Sequence, residues 1–334
     1  MTTLSVGDMA QLFLLKRQGA LARQAITDRS TELVTGLASD KGAHVSGDFA
    51  PLASLQTSLA QMSGYSAVNM EAGGMAAAMQ IALDTIDKQA SSAASVLLLA
   101  GNGGAATSLG VVGGQAEDAF RTAMSALNAR YGDRSLFAGQ NTDNAALGSA
   151  DTVLSDLTTL TAGALTVQDV TTALDSYFAD GGAFDTSIYQ GGPAMSALKV
   201  GPDETAQLDV RATDPALKAT LKALAMGALL AHGVLGGNQT AQAQLAQVAG
   251  QGLISAQSDL AQLAAHLGTV QARIGDADTS NQAQITSLKI AQLQMISVDP
   301  YEATTLLQQA QTQLESLYTI TARMAQLHLT GYLR

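Results

Sequence analysis

The chain has no cysteine and no tryptophan, only 5 prolines, and 4% aromatic residues among its 334 positions. Without cysteine there is no disulfide, no thiolate nucleophile and no cysteine-ligated zinc. The scarcity of aromatics removes the bulky anchors of a compact core. An apolar fraction of 47%, drawn chiefly from Ala, Leu, Val and Met, suits long, thin helical packing instead. Charge is also thin: charged residues make up 13%, about half the roughly 25% usual in soluble domains. Gln, Thr, Ser and Asn supply the polarity in its place, which suggests helices whose outer faces also meet partners. With 17 basic residues, 28 acidic ones and a net charge of −11, the scattered Lys and Arg form no patch for phosphates, so nucleic acid is not an expected partner. No secretory signal is read at the N-terminus, because Lys16 and Arg17 follow the short Leu12 to Leu15 apolar run instead of preceding a longer one. Export would need another route. The most apolar segment, Ala223 to Leu235, is about a third short of the roughly 20 residues that span a bilayer. It reads as a core helix, and no membrane partner is expected.

What is present is helical periodicity at both ends. Leu12, Leu15, Gly19, Ala22, Ile26, Arg29 and Leu33 alternate three- and four-residue spacings, which sets them along one seam. After a loop from Thr35 to Pro51, Met75, Met79, Ala82, Ile86, Ala93 and Val96 form a second seam. A glycine-rich interval, Gly101 to Gly114, reads as a flexible break before a short helix, Gln115 to Arg130, with Phe120, Ala123 and Leu127 on one face. Near Gln140 the helical period fades except around Val167 to Phe178. Leu198, Val200, Ala206, Leu208 and Val210 then alternate with Lys199, Gln207 and Asp209 around the turn formers Gly201, Pro202 and Asp203, which predicts a β-hairpin. From Asp214 the helix returns: Leu253, Ala256, Leu260, Leu263, Leu267, Val270 and Ile274, then Leu306, Ala310, Gln313, Leu317, Ile320, Met324 and Leu327. Asp299-Pro300 opens the last helix, since proline suits a first turn. The expectation is a mainly α fold: a long helical hairpin or coiled-coil bundle built from both chain ends, with a small inserted α+β or β-rich middle domain. The expected divisions are an N-terminal helical segment at 1–139, the insert with its hairpin at 140–213, and a C-terminal helical segment at 214–334 packing on the first.

No motif carries chemistry. Val96 to Ala106 ends in G-x-G-x-x-A, but a dinucleotide site needs a strand before the glycines, a helix directly after them and an acidic strand end about 20 residues on. More glycine follows instead. G-x-S-x-G, H-E-x-x-H and acidic calcium loops do not occur, and His44, His232, His266 and His328 have no metal-ligand neighbour at helical spacing. Asn238-Gln239-Thr240 fits a glycosylation sequon, a triplet too common to carry weight. No catalytic residue, cofactor or metal is expected. More telling, Ala223 to Ser258 contains no Asp, Glu, Lys or Arg, and Thr279 to Val298 contains only Lys289. Such helices are buried in a bundle, covered by neighbouring subunits, or both.

Three segments resemble the bacterial flagellin family, most closely its hook-associated protein 3 branch, which forms the hook–filament junction. Asp299-Pro300-Tyr301-Glu302-Ala303, with Leu306, Leu307, Gln311 and Leu314 and then Met324 to Leu329 and Tyr332-Leu333, is similar to the family's closing helix. Leu33-Val34-Thr35-Gly36 resembles the end of its first helix, although the usual Lys-Arg-Ile and Pro-Ser-Asp-Asp-Pro stretch does not follow, so Leu37 to Pro51 departs from the pattern. Leu127 to Asp143, with Leu136-Phe137-Ala138-Gly139 at its centre, looks like the segment where the family leaves its helical domain, and Ile188-Tyr189-Gln190-Gly191 looks like the branch's middle domain. The resemblance implies a non-enzymatic subunit exported unfolded through the flagellar type III apparatus and assembled outside the cell. It implies hook-associated protein 1 and flagellin as partners, self-association in a ring or tube, and an export chaperone. The assembly interface expected from it lies on the terminal seams: Leu12, Leu15, Ile26, Leu33, Leu306, Leu317, Ile320, Met324 and Leu327. Filament flagellin is the alternative within the family, and a helical enzyme with an unrecognised site is the remote one.

Overall fold

The computed structural model describes residues 6–103 and 106–332. Nine helices account for most of them: α1 (Val6–Thr35), α2 (Lys41–His44), α3 (Ala50–Gly101), α4 (Ala106–Leu127), α5 (Ala150–Thr161), α6 (Val167–Phe178), α7 (Pro215–Ala228), α8 (Gln239–Ile296) and α9 (Pro300–Tyr332). A π-helical turn at Phe184–Ile188 and two antiparallel two-stranded ribbons complete the described secondary structure: β1 (Arg130–Tyr131) with β2 (Arg134–Ser135), and β3 (Leu198–Lys199) with β4 (Thr205–Ala206). The fold is mainly α with little β structure, as the periodicity predicts. It divides into two compact units, residues 1–62 with 283–334, and residues 63–282.

In the first unit α1 packs against α9. Along α1, Ala22 is buried and Leu15, Gly19, Ile26 and Arg29 are half-buried, so the predicted seam holds over this stretch. At its C-terminal end Leu33 turns outward, 41% exposed, and Glu32 is buried in its place. The Glu32 carboxylate accepts from Arg29 Nη1 at 2.6 Å and from the Ser39 amide at 3.0 Å, so its charge is met where it is desolvated. Gly36, at φ +71°, ends α1 with its amide bonded to the Glu32 carbonyl at 2.8 Å, a left-handed cap that glycine adopts without a Cβ penalty. Just beyond it, the Ala38 amide bonds the Ile296 carbonyl at 2.8 Å and the Val298 amide bonds the Gly36 carbonyl at 3.0 Å. This bridge ties the start of the divergent loop to the turn between α8 and α9. Asp299 caps α9 through the Tyr301 amide at 2.8 Å, with Pro300 in the first turn as expected.

The buried face of α9 runs through Ala303, Leu307, Ala310, Leu314, Leu317 and Met324, whereas Gln313 and Ile320 are exposed. A strict seven-residue repeat selects Gln313 and Ile320, but a straight helix has 3.6 residues per turn, so its covered face drifts from such a repeat. Leu314 takes the covered position instead.

In the second unit α3 and α8 run antiparallel, linked by Ser66 Oγ to Asp278 at 2.8 Å, Gln80 Nε2 to the Ala264 carbonyl at 2.8 Å, and Gln247 Nε2 to the Gly101 carbonyl at 3.1 Å. The predicted seams lie in this core: Met75, Met79, Ala82 and Ile86 on α3, and Leu253, Ala256, Leu260, Leu267, Val270 and Ile274 on α8, are buried. Phe120, Ala123 and Leu127 of α4 are buried as expected. The hairpin is where the alternation puts it, Leu198 opposite Ala206 and Lys199 opposite Thr205, although its strands are only two residues each. Val200, Leu208 and Val210 are buried while Lys199 and Gln207 are exposed. Two buried asparagines, Asn69 of α3 and Asn281 of α8, both donate to the Val200 carbonyl, at 3.0 and 2.8 Å, and clasp the hairpin between the long helices.

Three expectations need correction. Residues 106–114 are helical, so most of the glycine-rich interval belongs to α4. A Cβ on Gly113 would lie 2.4 Å from the Ala231 nitrogen, so this glycine admits the chain just after α7 instead of loosening α4. Ala223 to Leu235 is not one core helix: α7 stops at Ala228, and the chain turns through Gly233, Leu235 and Gly237, all at positive φ, before α8. Finally, α5 lies in the stretch that the sequence reading leaves without a helical period. Ser149 caps it by accepting from the Asp151 amide, and Val153, Leu154 and Leu157 form its buried face.

Candidate assembly surface

The described residues include no group of three or more His, Asp or Glu that could hold a metal, and no helix among them is long and apolar enough to cross a membrane. His232 Nε2 stands 3.3 Å from Glu117 and His266 Nδ1 3.8 Å from Asp209, each a single surface pairing. The G-x-G-x-x-A run begins inside α3, so the strand that a dinucleotide fold needs is replaced by helix.

The terminal helices carry a different feature. On α1, Met9 and Phe13 are 56% and 67% exposed, one turn apart and on the face opposite the buried Ala22. Leu14 and Leu21 lie two turns apart on its flank, also exposed. Ile290 and Leu293 at the end of α8, and Tyr301, Tyr318 and Ile320 on α9, are about half or more exposed. Single exposed apolar residues are ordinary on a protein surface; several large ones along α1, and several more on the weakly charged α9 and end of α8, are less so.

The polar groups around them are unusually self-contained. Along α9 the hydroxyls of Thr304, Thr305, Thr312, Ser316, Thr319 and Thr321 each donate to the carbonyl four residues back, at 2.7 to 3.0 Å. Thr27, Thr31 and Thr35 do the same on α1. A hydroxyl bonded within its own helix can be covered by a partner without losing its hydrogen bond. Charges on α9 are limited to Glu302, Glu315 and Arg323. Covering these hydroxyls therefore costs little, whereas the exposed Gln308, Gln309, Gln311 and Gln313 would each need a polar partner in any packed interface.

Of the nine residues expected at the interface, Leu15 and Ile26 on α1 and Leu306, Leu317 and Met324 on α9 are half-buried within the chain. Leu33 and Ile320 face outward. Leu12 and Leu327 have side chains outside the described residues. The seam pattern, which selects residues by spacing, does not find Met9, Phe13, Ile290, Leu293 and Tyr301. For Ile290, Leu293 and Tyr301 the available signal was large apolar residues off the seam in weakly charged helix; Met9 and Phe13 lie on α1, whose charge is ordinary, and had no such signal.

The second unit is polar in a different way. Lys218, on the nearly fully buried α7, has a side chain only 5% exposed and donates to Asp180 at 2.8 Å and to Asp185 at 3.1 Å. The lysine holds the Asp180 carboxyl below its ordinary range, chiefly through that hydrogen bond. Asp214, half-buried at the start of α7, is shifted up by burial, against the lowering effect of the Arg211 amide. Tyr177 donates to Asp156 at 3.1 Å, and burial followed by that carboxylate raises its phenol well above the usual range. These groups fix the packing of α5, α6 and α7.

Residues 251–333 match the family model of the bacterial flagellin C-terminal helical region. Among solved structures, one described as a flagellar hook-associated protein from Vibrio parahaemolyticus aligns with 72% of this chain and 94% of its own, with a TM-score of 0.51 and 13% identity. At that identity the likeness speaks for the fold. Bacillus cereus FlgL aligns with 70% of this chain and 100% of its own, with a TM-score of 0.43 and 14% identity. Comparison with curated proteins gave no match.

Proposed function

We propose that the chain is a structural, non-enzymatic subunit of the bacterial flagellum, assembled outside the cell by packing of its terminal helices. The observation that carries this reading is the coincidence of two features on one stretch of chain. The segment matching the flagellin C-terminal helical region, 251–333, contains α9, whose outer surface is weakly charged, exposes Tyr301, Tyr318 and Ile320, and bonds its hydroxyls within the helix. The shared fold with a flagellar hook-associated protein supports the same reading.

Within the flagellum we infer the hook–filament junction. Leu136-Phe137-Ala138-Gly139 and the closing segment from Asp299 resemble the hook-associated protein 3 branch, and the weakly charged α9 with the exposed apolar residues of α1 suits contacts to hook-associated protein 1 on one side and flagellin on the other. The interface would include Leu12, Leu15, Ile26, Leu33, Leu306, Leu317, Ile320, Met324 and Leu327, together with the exposed Met9, Phe13 and Tyr301. By the same resemblance, the segment 140–213 faces outward from the assembled tube. Apolar burial contributes about 25 cal/mol per Å² before the entropy of association is subtracted. Deleting the chain from Tyr301 onward is expected to abolish filament attachment while the shortened subunit is still secreted. Filaments that remain attached in that strain would overturn the proposal. Filament flagellin is the second reading, favoured by the description of the matching family model, and it predicts a bulk filament protein instead of a minor component at the filament base.

A further inference from the structure

Asn102-Gly103 is the sequence's one Asn-Gly pair, and it lies where α3 ends. Asn102 is exposed, and Gly103 has φ +153°, a conformation L side chains rarely adopt. The Gly103 amide reaches only the Ala100 carbonyl, at 3.4 Å, so little holds it in the helix's hydrogen-bond ladder. On the other side, Gln247 of α8 donates through Nε2 to Asn102 Oδ1 at 2.9 Å while also contacting the Gly101 carbonyl at 3.1 Å.

We propose that Asn102 is a self-modification site that deamidates in the folded protein, with Gln247 as its positioning residue. The Gly103 nitrogen forms a bond to Asn102 Cγ and gives up its proton. The Cγ–Nδ2 bond breaks and ammonia leaves carrying that proton. The resulting five-membered imide is opened by water at either carbonyl, leaving aspartate or isoaspartate. Nothing is oxidised or reduced, and water is the sole co-reactant. As the Gly103 nitrogen attacks, negative charge develops on Asn102 Oδ1, the atom to which Gln247 Nε2 already donates. A donor aimed at a developing oxyanion lowers the barrier to its formation. Glycine at 103 leaves the attacking nitrogen without a Cβ beside it.

The product changes the local electrostatics. No charged side chain occurs between Lys88 and Glu117, or from Ala223 to Ser258 on the segment containing Gln247. The new carboxylate would introduce formal charge into the first of these segments, beside Gln247 of the second, at a helix C-terminus where the macrodipole disfavours an anion.

The test holds purified full-length protein at mildly alkaline pH, maps aspartate and isoaspartate at each asparagine over time, and repeats the series in urea. In the native protein Asn102 is expected to convert at least severalfold faster than Asn69, Asn128, Asn141, Asn144, Asn238 or Asn281. Gln247→Leu and the closer mimic Gln247→Glu, which keeps the shape but withdraws the N–H donor, are expected to slow conversion in the native state and leave the rate in urea unchanged. An Asn102 that survives in the folded protein while converting in urea would overturn the proposal. So would equal or faster native conversion in both Gln247 variants.

Discussion

Phe13 tests the proposed assembly surface because the single chain leaves its ring largely uncovered. Its side chain is 67% exposed on the face of α1 opposite the buried Ala22. Replacing it with alanine removes little that the isolated chain buries, so the monomer's stability should change by no more than about 0.5 kcal/mol. If the same ring is covered when subunits pack, its loss costs about 1.5 to 3 kcal/mol per covered contact. That corresponds to roughly a 10- to 150-fold weaker association constant. Ala22→Glu is the converse: a charge placed where alanine is 5% exposed should destabilise the first unit directly. Urea unfolding followed by helical circular dichroism reads the first quantity. Sedimentation of mixtures with flagellin or a hook-associated protein, together with filament attachment in cells, reads the second. Phe13→Ala with unchanged association would remove this face from the interface. A monomer destabilised by more than about 1 kcal/mol would show that Phe13 packs inside the fold.

Three further outcomes follow from the second unit. Leu267, fully buried on α8, should cost about 2 to 5 kcal/mol when cut to alanine, seen as a lower urea midpoint with an unchanged slope. Gly74→Ala would put a Cβ 2.2 Å from Tyr131 Oη, so the ring must swing off α3; amide exchange should then quicken at Arg130–Ser135. Lys218→Met should return the Asp180 carboxyl to its ordinary range, checked by following its carboxyl carbon resonance against pH. Because the folded value is depressed, the lysine pairing stabilises above the ordinary carboxylate pKa and is lost as pH falls through the depressed folded value, so the variant should lose that share of the acid dependence.

Helix content and the buried seams were legible wherever apolar residues kept an unbroken three/four spacing, as from Leu253 to Ile274, because covered helix faces must repeat at that interval. The hairpin at Leu198–Ala206 was legible from alternation and turn chemistry together. The seam of α9 was read correctly at Leu317 and Met324 but placed Gln313 and Ile320 inward, since a heptad approximates 3.6 residues per turn and the error accumulates. Glycines misled most. Gly113 reads as a break by composition, but it sits inside a helix against the Leu230–Ala231 backbone, a contact about 117 positions away that no local pattern encodes. The candidate surface was half legible: the low charge of α9 could be counted, whereas the back-bonded threonines and the outward Phe13 and Tyr301 required the helix faces to be known.

We propose that this chain is a flagellar subunit holding its place by terminal-helix packing at the hook–filament junction. Electron microscopy of intact flagella with a gold-conjugated antibody to this protein tests it most directly. A junction subunit gives label confined to one band between hook and filament. Label along the whole filament, or flagella that carry none, would contradict it.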